Sequence, residues 1–240
     1  MGDIRTCGII VPTDWVPLPL EPSDDMKGWT KSTAVELCER GRAAGHEPDR
    51  RTLRRDLRAR TEHSRSRDPF YAFALYPDGF DSALALLEVD LIWPDETVPR
   101  LTLDWLADTF SADAFGGPKA THTELPVGPV VRIRQNLAMS GSSGTAAGVL
   151  LETVTYGVLP TRSKAAAILM AAWSAPGLSE EMVEAVDGIA PTLTVGSERP
   201  AGQRRRNWPA TPFRSPSKTL SRPCCSTAAS IPSSSSLRAR

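Results

Sequence analysis

Residues 148–195 constrain this chain more than any other stretch. Two apolar runs, residues 149–160 and 165–174, read as strands, and Pro176 with Gly177 breaks the chain after them. An amphipathic helix is expected from Ser179 to about Ile189, with a short strand at residues 192–195 closing the run. That order is the ending of a small α+β domain. The stretch contains no nucleophile motif, no metal-ligand cluster and no phosphate loop.

The upstream residues fit the same class. Residues 8–11 form a short β-type run, followed by Trp-Val-Pro-Leu-Pro-Leu at residues 15–20. Prolines lack a ladder donor, so this segment is expected as an edge strand or an extended cover over the core. Ser23 reads as a helix cap with Asp24 and Asp25 in the first turn. Met26, Trp29, Thr33 and Leu37 then follow a helical stripe that Gly41 and Gly45 end. Pro48 and Asp49 start a second helix to about Arg65, whose only strong apolar positions are Leu53 and Leu57.

After the break at Asp68 and Pro69, residues 70–76 alternate aromatics with alanines, and Asp78 and Gly79 supply a turn. Residues 84–93 read as a half-buried antiparallel strand, which puts Glu88 and Asp90 on a solvent face. Thr102 is expected to cap a short helix carrying Leu103, Leu106, Ala107 and Phe110, ended by Gly116, Gly117 and Pro118. Residues 119–126 and 130–137 form a hairpin around residues 127–129, and residues 140–148 a small flexible loop. Strands outnumber helices and are joined by short turns, which predicts α+β: a mainly antiparallel sheet flanked by helices.

Charge divides the chain where composition does. The formal net charge is zero, yet residues 197–240 carry nine Lys/Arg against one acid. Residues 1–196 therefore hold 19 basic and 27 acidic side chains. The last segment also contains ten Ser and six Pro and too little aliphatic surface to offset its ordering entropy. It is expected as a disordered basic tail after a single domain of residues 1–196. Such Arg/Pro/Ser/Ala text also arises when a GC-rich gene is read out of frame, and that origin stays open.

Other classes are set aside. Four cysteines without a C-x-x-C pair support neither a zinc site nor a redox motif. Residues 1–7 hold no apolar signal region, and no run approaches the length of a membrane span. The expected location is the cytoplasm. His46, His63 and His122 have no ligand-spaced neighbours, so neither metal nor cofactor is expected. Gly141-Ser142-Ser143-Gly144 is not a nucleophile elbow and reads as a hairpin loop. The tryptophans read as core or rim aromatics, with Trp15 as the most exposed.

Several motifs carry a family likeness. Pro12, Trp15, Leu18, Pro19 and Leu20, an acidic helix at residues 24–29 bearing Trp29, and Leu125 to Arg132 (Leu-Pro-x-Gly-Pro-x-Val-Arg) stand in one order. Trp173 to Pro176, then Asp187, Ile189, Ala190, Thr192 and Leu193, complete it. This order resembles an uncharacterised actinobacterial family similar to LpqN-type, Mog1/PsbP-like proteins. The resemblance implies an antiparallel sheet flanked by helices and favours a protein-binding role, by analogy. This chain departs from it in lacking a lipoprotein signal and in its tail.

One surface stands out. Residues 50–67 hold eight arginines against Asp56 and Glu62. Arg50, Arg54 and Arg58 lie one turn apart, and Arg51 and Arg55 form a second stripe. Such stripes read first as a solvated face or a contact with the chain's own acidic body; an acidic protein partner also fits them, and an acidic domain would equally take a basic one. Nucleic acid is the weaker reading, because no aromatic is interleaved before Phe70 to stack on bases. The expected function is therefore a non-enzymatic protein-interaction module. The alternative is a small-ligand binder or enzyme whose site is assembled from distant residues.

Overall fold

A computed structural model describes residues 6–112, 115–139, 149–161 and 163–196. The loop expected around residues 140–148, its Gly-Ser-Ser-Gly motif and the tail from residue 197 lie outside the described residues. Thirteen elements follow in order: β1 (Thr6–Gly8), β2 (Trp15–Pro17), α1 (Met26–Ala43), α2 (Arg50–Arg67), β3 (Tyr71–Leu75), β4 (Ala85–Ile92), α3 (Leu103–Phe110), β5 (Phe115–Leu125), β6 (Gly128–Met139), β7 (Val149–Val158), β8 (Ala166–Trp173), α4 (Ser179–Ile189) and β9 (Thr194–Gly196). Seven strands form one antiparallel sheet in the order β2-β3-β4-β8-β7-β6-β5, while β1 and β9 make a two-stranded sheet of their own. The fold is α+β, as the pattern of strands and helices predicts.

Alternation along the strands divides the large sheet into two covered faces. On one, Trp15, Phe73, Leu87, Leu169 and Trp173 pack against Val183, Val186 and Ile189 of α4. On the other, α1 and α2 bury Leu37, Cys38, Leu53 and Leu57 against Val16, Ala72 and Ala74. Farther along that face, α3 sets Leu106 on Val131, Ile133 and Ile168. Full burial of each such aliphatic side chain contributes about 1.5–3 kcal/mol.

Local chemistry sets the element ends. Asp25, not Ser23, caps α1, its carboxylate accepting from Gly28 N–H at 2.9 Å. Gly41 lies inside that helix, where a Cβ would come within 2.5 Å of Pro48. Thr102 caps α3 as expected, accepting from Trp105 N–H. Gly116 and Gly117 do not end α3. They adopt φ of 86° and 71° inside β5, at the irregularity between Phe115 and Lys119. Pro126 and Val127 alone join β5 to β6, because Leu125 is already in register with Gly128.

Two expectations about exposure fail. Trp15 is 3 % exposed, tucked between β3 and the core, whereas Trp93 at the far end of β4 is 46 % exposed. Glu88 is 6 % exposed rather than solvated. Its strand does alternate, but helices cover both faces of the sheet, so the polar positions of β4 meet protein.

Candidate interaction surface

Asp49 starts α2 by accepting from the N–H groups of Arg51 and Thr52, at 3.1 and 3.2 Å. The Thr52 hydroxyl on that carboxylate, then the Arg51 N–H, hold the Asp49 carboxyl below its usual range. From there Leu53, Leu57, Thr61 and Ser64 return every three or four residues as the buried edge of the helix. Asp68 closes it in the left-handed region, with φ of 54°.

The eight arginines divide into two groups by what they touch. Arg65 donates to the Pro19 and Glu21 carbonyls at 2.9 and 2.7 Å, fastening α2 to the segment after β2. Arg67 donates to both oxygens of Glu88 at 2.9 and 2.5 Å. Arg60 faces Asp56 at 3.5 Å. Asp56 also accepts from the Tyr76 hydroxyl and the Ala83 N–H, both at 2.8 Å. Burial, and then the Asp56 charge, push the Tyr76 phenol far above its ordinary value. Arg65 and Arg67 hold the helix in place, while Arg60 pairs within the helix itself.

The five sequence-predicted residues are the other group. Arg50, Arg51, Arg54, Arg55 and Arg58 are all exposed. Arg58 pairs with Glu62 at 2.8 Å, which raises its pKa. The side chains of Arg50, Arg51, Arg54 and Arg55 make no ion pair or hydrogen bond among the described residues. At 3.6 residues per turn, Arg51, Arg54, Arg55 and Arg58 fall within an arc of about 100°, and Arg50 to Arg58 spans about 12 Å of axis. The first turn contains no acid.

The histidines remain apart. His46 precedes α2 and packs on Gly79, His63 contacts Arg67, and His122 stands 4.0 Å from Asp104. Burial first, and the Arg67 charge second, hold the His63 imidazole below its ordinary pKa.

Two clusters have no signal in the sequence because their members are far apart in it. On the α4 face, Arg132 binds Asp187 and the Tyr156 hydroxyl at 3.0 and 3.2 Å, so Arg132 and Asp187 join β6 to α4. Next to them Arg134 binds Glu152 and Glu180, both at 2.7 Å, beside a cleft of about 200 Å3 lined also by Asn136 and Trp173. A second cleft, about 270 Å3, lies between α1 and β2 and is lined by Trp15, Trp29, Glu36 and Arg40. Both fall below the roughly 300–1,000 Å3 of ordinary small-molecule sites. Only a cross-strand pairing such as Arg134 with Val154's neighbour Glu152 would have hinted at them, and that needs the sheet register.

No protein-family model and no curated protein matches the chain. Among solved structures it is similar to LpqN of Mycobacterium tuberculosis, a protein involved in cell envelope biogenesis, at 13 % identity over 81 % of this chain and 84 % of that one, with a TM-score of 0.43.

Proposed function

We propose that this chain is a non-enzymatic protein-interaction module that docks an acidic partner on the arginine face of α2. One observation carries the reading: Arg50 and Arg51 stand in the first turn of α2, exposed, and their side chains make no hydrogen bond or ion pair among the described residues, the Asp49 carboxylate before them being engaged by backbone N–H groups and Thr52. A helix N-terminus carries positive partial charge, so cations there cost the fold a few tenths of a kcal/mol or more. Arg54 and Arg55 continue the patch without a partner among the described residues. Charges that do not serve the fold are available to an incoming carboxylate surface, with arginine suited to bidentate pairing. Cytoplasmic residence belongs to the same proposal. Cys7 and Cys38 are free and buried, and no described helix is long and apolar enough to cross a membrane.

The test is a comparison of the full chain with its Arg51→Glu/Arg54→Glu/Arg55→Glu variant as bait in extracts of its host. All three side chains are exposed, so the melting temperature should move by no more than a few degrees. The expected result is an acidic protein held by the parent in low salt, weakened by salt, and lost from the variant. Recovery of the same proteins by both baits would refute the proposal. Binding only to nucleic acid would refute it too.

A further inference from the structure

The large sheet has two edges, and only one is closed. At the β2 edge the Trp15 N–H already bonds the Pro12 carbonyl at 3.1 Å, and Pro17 has no N–H. An incoming strand finds no ladder donor there. The β5 edge differs. Residues 119–124 are exposed without interruption, no described strand pairs with their outer side, and no proline lies among them.

The register fixes which backbone groups point outward. The Pro129 carbonyl accepts from Leu159 N–H, on the β7 side of β6. Odd-numbered residues of β6 therefore bond towards β7 and even-numbered ones towards β5. The β5 partners of those even residues are Lys119, Thr121, Thr123 and Leu125. The N–H and C=O groups of Ala120, His122 and Glu124 point away from the sheet, ready to bond another strand.

We propose that β5 is a self-association edge: a second copy of this chain adds its own β5 antiparallel, about a two-fold axis at Thr123. Residues directly opposed in a continuous sheet share a face, which leaves three registers for the outward groups. An axis at His122 sets that residue against itself. An axis at Thr121 sets Glu124 against Pro118 and one at Thr123 sets Ala120 against Pro126, so each lacks a donor at its outer pair, but the Thr121 axis leaves His122 facing only Ala120. With the axis at Thr123, His122 of each copy faces Glu124 of the other, twice. Each of those pairs exchanges both backbone hydrogen bonds, and an imidazole meets a carboxylate. Thr123 meets its own counterpart on the opposite face, where threonine pairs are favourable. Within one copy the groups around His122 are Asp104 of α3, Val131 of β6, and Ala120 and Glu124 on its own strand. Asp104 adds a second carboxylate near the ring and no competing cation. The surface is an isologous C2 contact, smaller than the standard interface, and so a reversible one.

Analytical ultracentrifugation of the full chain at about pH 6, up to about 200 µM, tests this. The expected result is a monomer–dimer equilibrium in the parent. His122→Glu and Glu124→Lys each raise the dissociation constant about tenfold or more, by putting like charges across the strands. The double variant His122→Glu/Glu124→Lys restores it to within about threefold, because the pair is then reversed. His122→Pro removes one outward donor without touching the β5–β6 ladder, and abolishes the dimer. A parent that stays monomeric overturns the proposal. So does a dimer indifferent to these changes, or one that the double variant does not restore.

Discussion

Replacing Arg67 with methionine should destabilise the fold much more than replacing its partner Glu88 with methionine. The two share a bidentate ion pair, but the Arg67 side chain is 36 % exposed and that of Glu88 only 7 %. Without Glu88, the guanidinium can turn towards water. Without Arg67, a carboxylate is left on a covered sheet face. Breaking a fully buried pair costs about 3–5 kcal/mol, and an exposed pair is worth about 0–1. A pair with one end wet falls between these limits. The expected losses are about 2–3 kcal/mol for Arg67→Met and under about 1 kcal/mol for Glu88→Met. The double variant should lose about 1 kcal/mol, since it leaves no orphaned charge. Urea unfolding with unchanged m-values supplies the numbers, and the double-mutant cycle supplies the coupling. Equal losses for the two single variants, or a double variant equal to their sum, would refute the reasoning. His63 gives an independent readout. Burial and the Arg67 charge favour its neutral form in the folded state, so its contribution is present above the ordinary imidazole pKa and lost as pH falls below it. Arg67→Met should raise the His63 pKa, visible by NMR titration, and reduce that loss.

Two further outcomes follow from single positions. Gly128 has φ of 147°, and a Cβ there would stand 2.3 Å from the Leu159 carbonyl oxygen; Gly128→Ala should cost at least about 1–3 kcal/mol by chemical denaturation. Burial raises the Cys7 thiol to about 11 from 9.0, so the neutral thiol is favoured in the fold. Its contribution is complete below pH 9.0 and declines as pH rises towards 11. Cys7→Ser should remove that alkaline decline from the stability–pH profile, and the parent thiol should react slowly with thiol reagents at neutral pH.

Most local signals in the sequence hold because they are short-range, although α1 is capped by Asp25 rather than Ser23 and runs through Gly41. Thr102 caps α3 with its own side chain, and Asp49 likewise opens α2, so both helices announce themselves. The break at Pro176 and Gly177 and the helix at residues 179–189 need nothing distant either. The other errors arise where the fold brings in residues from elsewhere. Alternation in β4 places Glu88 and Asp90 on one face, but it cannot say that α2 will cover it and supply Arg67. Trp15 looks exposed beside its prolines until β3 pairs with it. Gly116 and Gly117 look like a helix stop, yet a strand can use glycine at an irregularity. The arginine stripes were legible in full as a helical face. Which arginines are taken was not, beyond the i, i+4 pairs Arg60 with Asp56 and Arg58 with Glu62, because Pro19, Glu21 and Glu88 are chosen by the tertiary fold.

The middle of the sheet joins residues 85–92 of β4 to residues 166–173 of β8. During synthesis β4 must therefore wait while some 75 more residues are made, several seconds at about 5–20 residues per second. Over that interval β3 and β4 can pair as a hairpin, and α1 and α2 can cover one side of it. The other side, with Phe73, Leu75, Leu87 and Val89, stays bare until α4 arrives. Nascent chains thus pass through a half-roofed hairpin with an open strand edge and an apolar underside. A chaperone would grip that species, and its lifetime, rather than the stability of the finished fold, sets the yield of folded protein.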